Sequence, residues 1–398
     1  MNKTKWLKAF QTKRKQYGVS QNRLALMAGM SREHLSRIES GKVTLTDDIK
    51  EQLTIALEKL NPEAPLTMLI DYVRIRFPTM DIKHIVQNIL KLNLDYMLHE
   101  NYGFYSYTEH YVMGDIFVLA SPDEEKGILL ELKGQGCRQM ESYLLAQGRS
   151  WYDFLLDCLI DGGVMKRLDL AINDMAGILD IPELTKKSMN EECISVFRTF
   201  KSYRSGELIQ HEEKIGMGNT LYIGSLKSEV YFCVYQKDYE QYVKYGIPIE
   251  DTPIKNRFEI RLKNDRAYYA VKDLLTYQDA ERTAFAIINR YVRFADKDVN
   301  KERSEWNTSP KWEWFIGADR EQLRLTTAPE PYTLKKTLNW LHRQVAPTLK
   351  MAMELDKVNE TDIIKTMLKQ AKLSERHEKI LQQQSATMQD LVIKESEE

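Results

Sequence analysis

Four short segments of this chain alternate apolar and polar residues with period two: Ile128 to Lys133, Val164 to Asn173, Val230 to Lys237 and Arg257 to Lys263. That alternation marks strands with one face on a core. Helical spacing over 139–160 and 182–202 falls between them. The pattern predicts an α+β body over residues 66–350, an antiparallel sheet with flanking helices, entered through two helices at 66–76 and 81–92. A length of 398 residues leaves room for further domains on either side.

Pleating sends alternate residues of a strand to opposite faces. In the last segment Phe258, Ile260 and Leu262 form one set, and Arg257, Glu259, Arg261 and Lys263 the other. In 166–173 the leucines and Ile172 face a core while Arg167, Asp169 and Asn173 face away. Pairing these strands would gather Glu131, Lys133, Asp169, Lys237, Glu259 and Lys263 on one face. Carboxylates interleaved with cations suit a divalent metal and a phosphodiester. By periodicity alone, a solvated face of an amphipathic sheet is the plainer reading. Immediately after the last strand, Asn264 to Val271 reads as the start of a helix carrying Tyr268 and Tyr269. A tyrosine there can act as a nucleophile on phosphorus if a metal or nearby cations help its phenol, of pKa about 10, to ionise. The chain has 21 tyrosines, so position must carry that argument.

Charge is unevenly placed. The net charge is -1, yet residues 1–60 hold 12 Lys and Arg against 6 Asp and Glu, a surplus of +6. A basic head on a near-neutral body is the footprint of a polyanion-binding module. Helices are expected over 5–17, after Ser20, after Ser31 and over about 46–60. Ser20 and Ser31 stand as N-caps and Gly41 as a stop. Helix, short turn, helix is the arrangement that lays a second helix in the DNA major groove. The stretch Val19 to Gly41 resembles the repressor-type helix-turn-helix, with Leu24, Ala25, Gly29, Leu35 and Ile38 in core positions. Ser31, Arg32, Glu33, His34, Ser36 and Arg37 then point outward, and Gln21 and Lys42 are placed to meet phosphates. Protein contact is the competing use of such a fold; the charge favours DNA.

The expected boundaries are 1–62 for the helix-turn-helix domain, 66–350 for the sheet domain and 353–398 for a charged helical tail. That tail holds 10 acidic and 7 basic residues, as befits a solvated or partner-facing helix. Several classes are excluded. No run of about 18 apolar residues exists to span a membrane, and the N-terminus lacks the apolar core of a secretory signal. A cytoplasmic protein is expected. Cys137, Cys158, Cys193 and Cys233 lie too far apart for a zinc cluster. There is no G-x-x-x-x-G-K-[ST] loop, so helicase or ATPase activity is not expected of this chain.

Four stretches resemble the Rep_trans family, the rolling-circle replication initiators of small Gram-positive plasmids and the related MOB-T relaxases of integrative conjugative elements. They are Leu130 to Arg138, Arg167 to Asp174, Thr220 to Ser228 running on to Val234 to Lys237, and Arg257 to Lys263 with its tyrosine helix. The likeness covers about 65–350, and a repressor-like head before such a domain is the layout of the conjugative-element relaxases. The resemblance implies site- and strand-specific nicking and transesterification at an origin of transfer, through a 5′-phosphotyrosine, to initiate conjugative transfer and rolling-circle replication. It implies Tyr269 as nucleophile, twelve positions beyond Arg257, with Tyr268 as the alternative. It implies Lys263 and Lys237 as catalytic cations and Arg266 on the DNA. The metal ligands implied are Glu259, Asp169 and Asp174, with Asn173 departing from the family's usual aspartate. With no His-x-His pair among the seven histidines, Mg2+ or Mn2+ is the expected cofactor. Expected partners are double- and single-stranded DNA, a helicase and a coupling ATPase, without membrane insertion. A plasmid replication initiator of the same chemistry and a non-catalytic DNA-binding regulator are the rival readings.

Overall fold

The structure is a computed structural model that describes residues 3–16, 19, 21, 24–25, 28, 30–59, 66–206, 217–317, 338 and 341–393. In the head, α1 (Lys3–Gln16), α2 (Arg32–Glu39) and α3 (Asp47–Lys59) pack around Leu24, Leu35, Ile38, Leu53 and Leu57, all buried. The Ser31 hydroxyl accepts from the His34 amide and opens α2, and Gly41 at φ 72° follows its end, where a side chain would strain the left-handed backbone. The expected second cap, Ser20, lies outside the described residues. Under α2, Glu39 accepts from Arg14 Nε at 2.8 Å and Nη2 at 3.1 Å and from Gln21 Nε2 at 2.7 Å. Buried charge is tolerated there because it is paired and hydrogen-bonded.

After the head come β1 (Leu66–Phe77), β2 (Leu98–Glu100), β3 (Glu109–Met113), β4 (Ile116–Ala120), β5 (Ile128–Lys133), α4 (Gln135–Ala146), α5 (Trp151–Ile160) and β6 (Val164–Asp174). Then follow α6 (Ile181–Met189), β7 (Cys193–Ser195), β8 (Phe200–Arg204), β9 (Asn219–Ile223), β10 (Val230–Gln236), α7 (Lys237–Tyr245), β11 (Asn256–Lys263) and α8 (Asn264–Tyr277). The chain continues through α9 (Ala280–Tyr291), β12 (Val292–Phe294), α10 (Pro310–Phe315), α11 (Ala346–Val358), α12 (Ile363–Gln370), α13 (Glu375–Ser385) and α14 (Met388–Leu391). The main sheet has the strand order β2-β3-β4-β5-β1-β6-β11-β10-β9-β8, the antiparallel frame that the alternating segments predicted.

Two expectations at the element level are corrected. Residues 66–76 are strand, not helix: Leu66, Met68 to Ile70, Val73, Ile75 and Phe77 are buried on both sides of β1. The first half, with Met68, Leu69 and Ile70 buried in succession, carries no alternation, whereas Val73, Ile75 and Phe77 alternate with the half-buried Arg74 and Arg76 as a strand should. The segment 182–202 is helical only through Met189 and then turns into β7 and β8.

The chain divides into two compact units. One comprises Met1–Ile70, Asp169–Arg266 and Tyr277–Thr326, the other Asp71–Leu168, Ala267–Thr276 and Thr327–Glu398. In the first, Phe232, Phe258, Phe294, Trp312 and Phe315 form a fully buried aromatic core against one face of β10 and β11. The ring centroids of Phe258 and Phe315 are 5.6 Å apart. In the second, β1 pairs with β5 in the register Tyr72↔Lys133, Arg74↔Glu131, and the capping box of Ser150 and Asp153 opens α5. The charged tail is a correction as well. Gln383 on α13 donates to the carbonyls of Tyr96 and Val112, Lys379 donates to that of Asp95, and Leu391 and Val392 are buried. Its last helices are part of this unit's structure, not a solvated appendage.

Candidate active site

In the first unit, β10 and β11 pair with Tyr231↔Arg261, Cys233↔Glu259 and Tyr235↔Arg257, and β9 adds Tyr222 opposite Cys233. One face therefore carries Arg257, Glu259 and Arg261 with a row of tyrosines, while Phe258, Ile260 and Leu262 go to the aromatic core. The alternation predicted this division, but the charged face is not solvated. Asp169 is 3% exposed and Glu259 4%.

Arg261 binds both acids. Its Nε and Nη2 donate to Glu259 Oε2 at 2.9 and 2.6 Å, and its Nε stands 3.7 Å from Asp169 Oδ2. The other oxygen of Glu259 accepts from the Tyr235 hydroxyl at 2.8 Å. Burial works against the Arg261 charge, yet the Glu259 carboxylate beside it outweighs burial and holds the guanidinium more firmly protonated. Burial also pushes the Cys233 thiol and the Tyr222 phenol up, each to about 12, so both stay neutral and leave the charge chemistry to the acids and Arg261.

Lys263 donates to the Leu226 carbonyl at 2.7 Å with its ammonium 5.1 Å from the Tyr231 ring centroid. Lys237 pairs with Glu240 and lies 5.6 Å from the Tyr235 ring centroid. Arg266 is exposed. Lys263 ends the strand that carries Glu259, Lys237 opens the helix after β10, and Arg266 lies in the first turns of α8.

The expected ligand Asp174 and its neighbour Asn173 have other work. Asp174 is fully buried; its Oδ1 accepts from the amides of Ala176 and Gly177, and its Oδ2 from the Leu179 amide and Asn256 Nδ2. Four donors turn the carboxylate toward the 174–179 turn, which corrects its assignment as a metal ligand. Asn173 accepts from Arg257 Nε at 2.8 Å and donates to Thr67. Among the described residues no group of three or more His, Cys, Asp or Glu surrounds one point. What fits a hard divalent cation is the pair Asp169 and Glu259, two buried carboxylates converging on one positive charge. Arg261 supplies that charge here. Sequence reasoning placed it on the charged face without a role, although its position two residues beyond Glu259 was the available signal.

The residue Asn264, at φ 47°, ends β11 and opens α8, so the strand bearing Glu259 runs directly into the tyrosine helix. Ala267, Ala270, Val271 and Leu274 bury one stripe of α8. Tyr268 and Tyr269 stand off that stripe, 42% and 60% exposed, with rings 5.6 Å apart in an edge-to-face pair. An outward phenol is not a packing residue and is open to a macromolecular substrate. Tyr269 belongs to the second unit, as do Glu131 and Lys133, which pair there at 2.8 Å.

On the head, Ser31, Arg32, Arg37 and Lys42 are exposed, while His34 and Ser36 are half-buried on α2. Gln21 spends its amide on Glu39, so it serves the interior of the head.

Three family models match the chain: Rep_trans, described as a replication initiation factor, over residues 163–368; the N-terminal domain of rolling-circle replication initiation proteins over 67–157; and a helix-turn-helix over 10–57. The "Putative DNA relaxase NicK" of Bacillus subtilis (strain 168) is 43% identical over 333 residues, covering 83% of this chain and 93% of that protein. A solved rolling-circle replication initiator protein from Geobacillus stearothermophilus shares the fold, with a TM-score of 0.56 at 24% identity over 66% of this chain and 99% of its own.

Proposed function

Because the chain belongs to the Rep_trans family of replication initiation factors, we propose that it nicks one DNA strand by transesterification. The Tyr269 oxygen attacks the scissile phosphorus; the new Tyr–O–P bond forms as the P–O3′ bond breaks. The phenol gives up its proton, the 3′ oxygen takes one, and the product is a 5′-phosphotyrosine beside a free 3′ hydroxyl. A phosphodiester is exchanged for a phosphodiester, so the bond energy is kept for rejoining and no nucleotide is consumed.

The observation that carries this reading is a buried acid pair with its arginine on the strand that leads straight into a helix presenting an exposed tyrosine. Lys263, Lys237 and Arg266 supply positive charge for the phosphate oxygens, where charge grows in the transition state. Asp169 and Glu259 are the residues to hold Mg2+ or Mn2+, which when bound would polarise the phosphate. Arg261 holds the two carboxylates in register. Ser31, Arg32, His34, Ser36, Arg37 and Lys42 position the head on duplex DNA near an origin of transfer, with the single strand going to the sheet domain. A helicase and a coupling ATPase are the partners that the family resemblance implies, and an integrative conjugative element is the setting that the repressor-like head favours. Replication initiation uses the same chemistry, and the family description supports it equally.

The test is a denaturing gel of wild type and Tyr269→Phe with Mg2+ or Mn2+ and labelled DNA from the gene's own neighbourhood. A covalent adduct made by wild type and lost in the variant is the expected result. An adduct that survives in Tyr269→Phe moves the nucleophile to Tyr268. No adduct on single-stranded or supercoiled DNA, with duplex binding retained, leaves a DNA-binding regulator.

A further inference from the structure

The carboxylate of Glu259 is held through both oxygens, and the two holders differ in kind. Its Oε2 accepts from Arg261 Nε and Nη2 at 2.9 and 2.6 Å, and its Oε1 accepts from the Tyr235 hydroxyl at 2.8 Å. Arg261 is a cation that also stands 3.7 Å from Asp169 Oδ2, so it occupies the place where another cation would meet both acids. Tyr235 is an uncharged donor on the other oxygen. The register that sets Tyr235 opposite Arg257 and Cys233 opposite Glu259 makes Tyr235 a diagonal neighbour of Glu259, a separation that an aromatic side chain spans. Its ring is half-buried on β10, with Lys237 Nζ 5.6 Å from the centroid. The chemistry above gives this hydroxyl no part.

We propose that Tyr235 sets which divalent cation the acid pair accepts, by keeping Glu259 Oε1 engaged so that the carboxylate offers a metal only Oε2. A metal ion meeting Asp169 and Glu259 repels the Arg261 guanidinium and replaces its charge. It does not repel a neutral hydroxyl, so the bond from Tyr235 persists. A carboxylate with one free oxygen suits Mg2+, which binds through one or two carboxylates and fills its remaining positions with water and substrate phosphate. Ca2+ takes six to eight oxygens and draws on bidentate carboxylates, so an occupied Oε1 counts against it. Tyr235 is a positioning residue: it acts through Glu259, and its effect is on the choice of ion. The proposal rests on the reading of Asp169 and Glu259 as the metal's residues, to which it adds a determinant of selectivity outside the ligands themselves.

The experiment uses full-length wild type, Tyr235→Phe and Glu259→Gln without DNA. Mn2+ binding is read from the electron paramagnetic resonance of the free ion, and Mg2+ and Ca2+ are added as competitors. Wild type is expected to bind Mn2+, to release it to Mg2+ and to resist Ca2+. Tyr235→Phe keeps the ring and drops the hydroxyl, leaving Oε1 open to the metal. It is expected to raise the affinity for Ca2+ relative to Mg2+ about tenfold, the order of one added contact to a charged group. Circular dichroism melts in EDTA show that each variant is folded. An unchanged ratio of Ca2+ to Mg2+ affinity in Tyr235→Phe overturns the proposal. So does an equal loss for both ions, which would make the hydroxyl a structural contact only. If Glu259→Gln loses Mn2+ while Tyr235→Phe leaves the ratio in place, selectivity alone falls and the acid pair stands. No Mn2+ binding by wild type, or undiminished binding by Glu259→Gln, overturns the reading of the acid pair and the proposal with it.

Discussion

Arg261→Gln isolates the electrostatics of the acid pair. The arginine donates two hydrogen bonds to Glu259 and stands 3.7 Å from Asp169, whose side chains are 5% and 4% exposed. Removing one partner of a buried charge pair costs about 3–5 kcal/mol, because the remaining charge has neither water nor counterion. Arg261 itself is 22% exposed, so water can enter and the expected loss is smaller, about 2–3 kcal/mol. For a unit of 150–250 residues this lowers Tm by about 4–12 °C. The assay is a pair of thermal melts, one in EDTA and one with excess Mn2+. The variant leaves two carboxylates facing each other without a cation, so Mn2+ is expected to restore its Tm; saturation a hundredfold over Kd is worth about 2.7 kcal/mol. Wild type should gain less, since the ion must first displace Arg261. A variant melting within about 1 °C of wild type in EDTA refutes the claim that Arg261 holds the pair. A destabilised variant that Mn2+ does not rescue refutes Asp169 and Glu259 as the metal's residues.

Other outcomes follow from buried groups. Asp174→Ala strands the amides of Ala176, Gly177 and Leu179 and should cost about 2–4 kcal/mol in urea unfolding, with metal affinity by calorimetry unchanged in whatever protein remains folded. Glu39→Gln leaves Arg14 buried without its carboxylate and should destabilise the head by about 2–4 kcal/mol; duplex binding and head stability would fall together, while the melt of the sheet units stays in place. Burial pushes the Cys193 thiol from 9.0 to about 11. At pH 8 iodoacetamide should therefore leave Cys193 unmodified in folded protein. Its raised value also means that the unfolded chain loses this proton first, so stability declines as pH climbs from 9 toward 11, which alkaline melts with Cys193→Ser as the control would show.

How much of this could be read from residues alone depends on whether a local pattern carried the information. The four alternating segments are strands because their two faces meet different surroundings, and Ser31 caps α2 because its hydroxyl answers an amide three residues on. Ala267, Ala270, Val271 and Leu274 mark the buried stripe of α8 and so leave Tyr269 outward. The spacing from Arg257 to Tyr269 is likewise written in the chain. Such features are set by neighbours within a few residues, where period and hydrogen-bond reach leave little choice.

The strand nature of 66–77 was missed although Val73, Ile75 and Phe77 alternate with Arg74 and Arg76; only the first half, where Met68, Leu69 and Ile70 are buried in succession, lacks the period. The tail looked solvated because its charges outnumber its anchors, yet Gln383 and Val392 fix it through contacts nearly three hundred residues away in sequence. Asp174 and Asp169 are five residues apart on one strand, which pleating sends to opposite faces. Asp174 takes the amides of its own turn, two to five residues on, whereas only the tertiary structure gives Asp169 an arginine on a different strand. Periodicity and capping are local and therefore determined by sequence. Which buried carboxylate meets which donor depends on strands brought together across the chain, and only the folded sheet decides it.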